Sequence, residues 1–253
     1  MTAGAVPREK VQVTASYEIQ GRRVMLPVEV RDASSATATF LVDAATARTL
    51  LRIPGLEPAE PWPGRALATL AAIDYRDNDL GRYHEISIAL FVREESAPRI
   101  GRARLALDLL RGRVGTAILH LPVDQAFTCE AGRTIWGFPK TLQQIDWEEL
   151  PGRLRCSLRM DGRHVLTLEL PRGGGRRMPE QGLVTYTAIA GLPHRTRFTT
   201  AAEGVGFRPG GATLSLGDHA IADELRQLGL PRRALASVWM EHMRGRFEAP
   251  EKL

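Results

Sequence analysis

Segments that alternate between apolar and polar residues recur along most of the chain. This period of two is typical of β-strands that have one buried face. It predicts strands over residues 11–19, 23–30, 36–42, 65–75, 83–93, 114–123, 143–149, 152–160, 163–171, 183–190 and 195–202, and an extended segment over 234–247. Asp161 and Gly162 lie between two of these strands and predict a tight hairpin turn.

Helical patterns are few. Asp43 and Asp124 are candidate N-caps for helices over residues 44–51 and 125–135, and a third helix is predicted over 218–228. Many strands with few helices predict an α+β, β-rich fold, either an antiparallel β-barrel or packed sheets with a few helices. The sequence has no clear linker, so we expect a flexible N-terminus over residues 1–10 and one domain over 11–253.

Composition excludes several classes of protein. Hydrophobic residues make up 43% of the chain and charged residues 25%, close to the average for folded globular domains. No apolar run reaches the roughly 18 residues that a membrane span needs, and the N-terminus lacks a signal-peptide pattern. Cys129 and Cys156 are isolated, which argues against a disulfide framework or a zinc site and favours a cytoplasmic location.

The net charge of +5 raises the question of an anionic partner. The basic stretch Gly101–Arg113 is compatible with a nucleic-acid or membrane surface, but a solvated amphipathic element is the commoner explanation. The segment Arg172–Arg177 lacks the context of a phosphate-binding loop and is predicted to be a flexible loop. We therefore expect neither a nucleic-acid partner nor a membrane.

Lysine is rare in this sequence. Of the 34 basic residues, 31 are arginines and three are lysines, Lys10, Lys140 and Lys252. Arginine replaces lysine well on a surface, but it cannot supply a neutral amine because guanidinium keeps its proton in proteins. Lys140 therefore either survives a coding bias by chance or is retained by chemistry that forbids arginine.

The residues before Lys140 favour a chemical role. Trp136 and Phe138 can form apolar walls, and Pro139 restricts the backbone next to the lysine. Burial disfavours the ammonium form and is expected to lower the lysine pKa, and a neutral amine can form a Schiff base with a ketone. The alternative is a surface lysine after a helix C-terminus, where a cation is also favourable.

The run EAGRTIWGFPK, which ends at Lys140, closely resembles the signature of the acetoacetate decarboxylase family. That resemblance implies that Lys140 is the imine-forming lysine. Residues 79–85 (DLGRYHE) are similar to the family's Gly-x-Tyr-x-Glu segment, whose glutamate faces the active site. Residues 44–58 and 216–247 resemble the family's early helix with its Pro-rich loop and its C-terminal part. The resemblance extends across nearly the whole chain and implies the family's fold.

The sequence also departs from the family pattern. Thr141 stands where the family commonly has a second lysine, so the cationic neighbour that activates the lysine of acetoacetate decarboxylase is missing. Thr134 replaces the usual glutamate after Gly-Arg, and the second active-site acid, expected near Thr69-Leu70, is absent. The arginine that would hold a substrate carboxylate has three N-terminal candidates: Arg22, Arg23 and Arg31.

By this resemblance, Lys140 and Glu85 are the predicted catalytic residues, with Glu85 moving a proton or positioning substrate or water. The predicted substrate-binding residues are Tyr83, Arg133, Trp136 and Phe138. A structural ion pair with Glu130 is the alternative role for Arg133. The resemblance implies no metal and no organic cofactor, because the imine itself withdraws electrons. It also implies a homo-oligomer.

Three functions remain open. The leading hypothesis is a Schiff-base enzyme that decarboxylates a β-keto acid. The second is an aldolase-dehydratase or cyclase that uses the same imine on a 2-keto acid such as pyruvate. The third is a β-barrel binding protein that has kept the fold and lost catalysis.

Overall fold

The computed structural model describes residues 15–98 and 100–253. In chain order the strands are β1 (Ser16–Ile19), β2 (Arg22–Met25), β3 (Val28–Asp43), β4 (Leu56–Pro58), β5 (Arg65–Asn78), β6 (Tyr83–Glu94), β7 (Gly115–Val123), β8 (Lys140–Leu142), β9 (Gln144–Leu150), β10 (Arg153–Met160), β11 (Arg163–Pro171), β12 (Arg176–Ile189), β13 (Leu192–Pro209), β14 (Thr213–Leu216), β15 (Ala236–Phe247) and β16 (Glu251–Lys252). The helices are α1 (Ala44–Leu50), α2 (Arg102–Leu110), α3 (Ala126–Trp136) and α4 (Ala220–Gln227).

Seven of the longer strands form a closed barrel. Their order is β6-β5-β3-β15-β13-β12-β7, and pairing between β6 and β7 closes the ring. Every neighbouring pair in the ring is antiparallel except β7 and β12, which run parallel. Three short strands extend the barrel at its margins, β4 beside β6, β8 beside β7 and β16 beside β13. Closure leaves no exposed edge in the ring.

A second sheet covers part of the outer barrel surface. It is antiparallel, with the order β14-β11-β10-β9. Alternate residues of β5, such as Leu70 and Ala72, belong to the same buried hydrophobic cluster as Leu154 and Leu158 of β10. The intervening residues of β5 point inward, because successive side chains of a strand face opposite sides. The main hydrophobic core therefore lies outside the barrel, and the barrel interior remains available for a cavity.

A second hydrophobic cluster lies where α3 and the β1–β2 hairpin meet the barrel. It contains Ile19 and Val24 from the hairpin, Phe127 and Ile135 from α3, and Val123 from the end of β7. This cluster fixes α3 against the barrel strands, and α3 in turn leads directly to Lys140.

The β-rich fold class predicted from the sequence is confirmed. Asp161 and Gly162 both have positive φ angles, as the predicted hairpin turn requires. Asp43 caps α1 as predicted, since its carboxylate accepts a hydrogen bond from the backbone N–H of Thr46. Predictions for residues 1–14, including the flexible N-terminus, lie outside the described residues.

Other sequence predictions were wrong in detail. The cap of α3 is Gln125, whose side chain accepts from the N–H of Thr128, because the carboxylate of Asp124 is engaged by His84. Pro27 divides the strand predicted over residues 23–30, and the strand that follows continues to Asp43. The loop predicted over 172–177 ends early, because β12 begins at Arg176 in order to pair with β13.

Two kinds of feature are absent from the described residues. No helix there is long and apolar enough to cross a membrane. No three or more His, Cys, Asp or Glu side chains in that part of the chain are grouped so that they could hold a metal ion.

Candidate active site

Lys140 is the first residue of β8, and backbone pairing with Leu121 of β7 fixes its position. The chain reaches β8 from α3 through Gly137, which ends the helix with a left-handed φ of +64°. A side chain at Gly137 would also meet the carbonyl oxygen of Ala188. The tight connection directs Lys140 inward, where it is buried, while Thr141 is exposed. Thr141 therefore lies on the opposite face of β8 from the cavity.

Glu85 is the nearest charged partner of Lys140. It lies on β6, opposite Ile73 of β5 and Val123 of β7. Its Oε2 atom is 2.9 Å from Nζ of Lys140, and the side chains of Lys140 and Glu85 are only 3% and 8% exposed. The two residues form a buried ion pair, and a proton can pass directly between them.

Helix α3 forms the second wall around the lysine. Thr128 Oγ1 accepts a hydrogen bond from Lys140 Nζ at 3.1 Å. Gly132, one turn further along the same helix face, allows the aliphatic part of the lysine to pass, because a Cβ atom there would be 2.6 Å from Lys140 Cδ. One face of the helix therefore contributes a hydrogen-bond acceptor at Thr128 and, at Gly132, the space that the lysine side chain occupies.

Two tyrosines complete the surroundings of the amine. The ring centroid of Tyr83 is 4.7 Å from Lys140 Nζ, and Tyr83 stacks on Tyr75 with centroids 4.5 Å apart. Burial raises the pKa of Tyr83 to about 12 and raises the pKa of Tyr75 well above its ordinary value. Both phenols therefore keep their protons at neutral pH.

The pKa of Lys140 lies above its ordinary value. Burial, the largest single influence, lowers this pKa, but the Glu85 carboxylate and the Tyr83 phenol raise it and together outweigh burial. Burial acts in the expected direction, but the expected net lowering of the lysine pKa is wrong for the resting site. The apolar residues that flank Lys140 in sequence account for its burial. The carboxylate that raises its pKa belongs to Glu85 on another strand, β6.

A cavity of about 290 Å³ fills the barrel interior around this pair, and side chains from all seven barrel strands line it. Trp136 and Phe138 belong to its lining, with ring centroids 5.5 Å apart. Trp136 is held in place because its indole N–H donates to the carbonyl oxygen of Glu248 at 2.9 Å. These residues lie where the sequence predicted an apolar wall.

Arg133 lies elsewhere. It is exposed on α3 and does not line the cavity. Glu130, its suggested structural partner, instead accepts a hydrogen bond from Gln20. The geometry brings Lys140, Glu85, Tyr83, Trp136 and Phe138 together and leaves Arg133 outside.

The three arginines considered as carboxylate ligands are all engaged at other sites. The guanidinium of Arg22 lies 4.0 Å from the ring centroid of Phe127, and Arg23 pairs with Glu18. Arg31 forms ion pairs with two aspartates, Asp77 and Asp79. Among the described residues that line the cavity, Lys140 is the one cation.

Sequence reasoning missed Thr128, Gly132 and Tyr75. A signal for the first two was available, because they are four residues apart in the predicted helix and share one face. A glycine inside a helix pattern also often has a packing or functional reason. No comparable local signal identified Tyr75.

Comparison with known proteins decides the family. The family model described as acetoacetate decarboxylase (ADC) matches residues 15–244. The chain belongs to the acetoacetate decarboxylase family. No curated protein sequence matches this family member significantly.

Solved structures share the fold at low sequence identity. The acetoacetate decarboxylase of Legionella pneumophila is 16% identical, with a TM-score of 0.63 over 90% of this chain and 87% of that one. The enduracididine biosynthesis enzyme MppR, complexed with pyruvate, is 20% identical, with a TM-score of 0.59 over 89% and 90%. An acetoacetate decarboxylase-like enzyme from Sphingomonas wittichii RW1 is 16% identical, with a TM-score of 0.54 over 99% and 100%.

Proposed function

We propose that this protein is a Schiff-base enzyme in which Lys140 forms an imine with a keto acid, and that a β-keto acid is then decarboxylated. The observation that carries the proposal is the buried contact between Lys140 Nζ and Glu85 Oε2 at 2.9 Å inside the barrel cavity. Membership of the acetoacetate decarboxylase family supports it.

Lys140 must lose a proton before it can attack a carbonyl. Glu85 is the acceptor, because its Oε2 atom is within hydrogen-bond reach of Nζ. Transfer converts the ion pair into a neutral amine and a carboxylic acid. A substrate that displaces water from the cavity favours this neutral pair, because a dry environment penalises separated charges.

The neutral amine then adds to the ketone carbon, and loss of water yields a protonated imine. The bond to the carboxylate carbon breaks, its electron pair passes to the imine nitrogen, and carbon dioxide leaves. The proton that Glu85 took from the lysine leaves with the water lost on imine formation, so the resulting enamine takes its proton on carbon from solvent, and the nearby Glu85 carboxylate can relay it. Water finally hydrolyses the imine and releases the ketone and the lysine.

The charge distribution of the cavity favours loss of carbon dioxide. A substrate carboxylate beside Glu85 and apolar walls would be poorly stabilised, whereas carbon dioxide is neutral. Among the described residues of the lining, the one cation is Lys140, which becomes the imine nitrogen. Ground-state destabilisation of this kind lowers the barrier to decarboxylation.

A second candidate is condensation of a 2-keto acid through the same imine. It is supported by MppR, which has been crystallised with pyruvate and with the condensation product of pyruvate and imidazole 4-carboxaldehyde. Thr141 in place of a second lysine is also compatible with such divergent chemistry. An aldolase-dehydratase would consume an aldehyde together with pyruvate, a cyclase would close a ring within its 2-keto acid, and neither reaction would release carbon dioxide.

Borohydride reduction in the presence of acetoacetate or pyruvate tests the imine, with the adduct located by peptide mass mapping. We expect the adduct on Lys140, its loss in Lys140→Arg, and unchanged trapping in Lys252→Arg, a control at an exposed lysine. Carbon dioxide release then separates decarboxylation from condensation. No adduct on Lys140 with any keto acid would leave the non-catalytic binding protein as the better hypothesis.

A homo-oligomer remains our expectation from the family resemblance, and a cytoplasmic location remains our expectation from the isolated cysteines. Sedimentation velocity of the purified protein measures the assembly directly, and a purely monomeric species would contradict it.

A further inference from the structure

The cavity extends far beyond Lys140. On β6 its lining includes Glu85, Ser87 and Phe91. Phe91 is six positions after Glu85, which corresponds to about 20 Å along a strand at about 3.3 Å per residue. Ala71 of β5 is paired with Ser87 and also lines the cavity, so the neighbouring strand follows the same course. A three- or four-carbon keto acid held at Lys140 would leave most of this length unused.

The distal half of the cavity, defined here as the part of the lining on the Phe91 side of the Lys140–Glu85 pair, is uncharged. Its side chains are hydrocarbons or hydroxyls: Thr37, Ala71, Ser87, Phe91, Val114 and Thr116. Lys140 and Glu85 are the charged residues among the described part of the lining. Thr116 and Phe91 are partners in the β6–β7 pairing, which places them at one level of the barrel.

We infer that the natural substrate carries an extended, uncharged tail on its carbonyl head, and that the tail lies along the distal half of the cavity. The inference rests on the proposed function, because imine formation at Lys140 is what fixes the position of the carbonyl in the cavity. The substrate class is then a keto acid or ketone with a carbon-rich chain, which can bear neutral polar groups that pair with the hydroxyls.

Energetics favour an uncharged tail over a charged one. A buried methylene group favours binding by about 0.8 kcal/mol, which corresponds to about fourfold in affinity. A terminal carboxylate would instead enter a region with no counter-ion among the described lining residues, and burying an unpaired charge is strongly unfavourable. Length and charge therefore have opposite effects on binding.

Borohydride trapping with matched probes tests both effects. The probes are pyruvate, 2-oxoheptanoate and 2-oxoheptanedioate, together with acetone, 2-heptanone and 6-oxoheptanoate. We expect the half-saturating concentration to fall about two-hundredfold from pyruvate to 2-oxoheptanoate, with four added methylenes. The two probes whose tail ends in a carboxylate, 2-oxoheptanedioate and 6-oxoheptanoate, should lose that gain. Equal half-saturating concentrations for short and long probes, or for probes with charged and uncharged tails, would overturn the inference.

Variants that fill the distal half provide the structural control. Ala71→Phe and Thr116→Phe each place a ring in the proposed tail site, away from Lys140. Either change should abolish the gain with chain length and leave trapping of pyruvate and acetone within about twofold, because these short probes do not reach the distal half. If either phenylalanine variant still binds the long probes more tightly than the short ones, the tail does not lie in the distal half of the cavity.

A second readout separates this inference from the proposed function. Thermal shift without borohydride reports tail binding whether or not an imine forms. A larger stabilisation by 2-heptanone than by acetone, absent in Ala71→Phe, supports the tail site even if no adduct is found on Lys140. If short and long probes form adducts alike and chain length has no effect on the melting temperature, the Schiff base is supported and the tail site is contradicted.

Discussion

The amine nitrogen of Lys140 lies 2.9 Å from Oε2 of Glu85, and the protein buries both side chains. A carboxylate therefore stands beside the lysine, where the activation known from acetoacetate decarboxylase uses a cation. The pair stabilises the ammonium in the resting site, so the proposed mechanism requires the proton to move to Glu85 before the lysine reacts. The proposed chemistry thus depends on one short contact between β6 and β8.

Replacing Glu85 with glutamine should slow turnover by about a hundredfold or more, because general acid–base groups typically contribute that much. The same change removes the main influence that raises the pKa of Lys140, so burial should then lower it. The pH at which imine trapping is half-maximal should move downward, as measured by a pH profile of the trapping rate. Glu95→Gln, at an exposed glutamate, is the control. Unchanged turnover and an unchanged profile would argue against the role of Glu85.

The Glu85→Gln variant should also be less stable at neutral pH, by about 3 to 5 kcal/mol, because it leaves a buried ammonium unpaired. In the wild type the folded-state pKa of Lys140 is raised, so the contribution of the pair is complete below about pH 10.4 and disappears as pH rises through the folded value. The stability difference should therefore shrink with increasing pH. Urea denaturation of both proteins from pH 7 to pH 11 measures it, and a constant difference would contradict the ion pair.

Thr128→Val keeps the shape of the side chain and removes the hydroxyl that accepts from Lys140 Nζ. A hydrogen bond to a charged group contributes about 1.5 to 3 kcal/mol, so we expect roughly tenfold or greater loss in kcat/KM. The control is Thr134→Val, an exposed threonine on the same helix. Equal kcat/KM in the two variants would show that the hydrogen bond from Lys140 to Thr128 does not contribute to catalysis.

Gly132→Ala should displace Lys140, because the added methyl group would lie 2.6 Å from Cδ and 2.8 Å from Cε of the lysine. Alanine also favours the helix over glycine by about 1 kcal/mol, which offsets part of the steric cost to stability. We expect imine trapping to fall by at least about tenfold while far-UV circular dichroism stays unchanged. Thr134→Ala tests the helix effect alone. Normal trapping in Gly132→Ala would mean that the lysine can be rearranged without loss.

Tyr83 should contribute to instability at high pH. Its pKa is raised to about 12 in the folded protein, and the unfolded value is about 10. The stabilisation from the protonated phenol is complete below about pH 10 and is lost as pH rises through about 12. At pH 11.5 this amounts to about 2 kcal/mol, so Tyr83→Phe should lose correspondingly less stability between pH 9 and pH 11.5. Urea denaturation at both pH values measures the free energy of unfolding of the two proteins. Equal losses of stability in the wild type and in Tyr83→Phe would contradict the raised pKa of Tyr83.

Much of the fold could be predicted from period-two patterns, because they depend on which face of a strand is buried. Details failed where pairing or side-chain competition decided the outcome. Asp124 is a good capping residue, but its carboxylate binds His84, and Gln125 takes its place. Strand β12 begins within a predicted loop because β13 offers it a partner.

Only part of the site was predicted, because the remainder depends on how the elements pack against one another. Family resemblance identified Lys140, Glu85 and Tyr83, which the barrel brings together. Thr128 and Gly132 were missed because their role depends on how α3 lies against the barrel. Arg133 was selected from its position in the motif, yet the helix turns it toward solvent.

The sequence by itself determined that the chain is β-rich and that one lysine follows an apolar, proline-restricted turn. It therefore predicted a buried amine. Tertiary structure alone decided the charge state of that amine and the size of the space before it. Charge state depends on distance in space, and Glu85 reaches Lys140 only through the pairing of β6 with β7 and of β7 with β8. The uncharged length of the cavity likewise exists only after seven strands have closed, because closure turns alternate residues of each strand toward one shared interior.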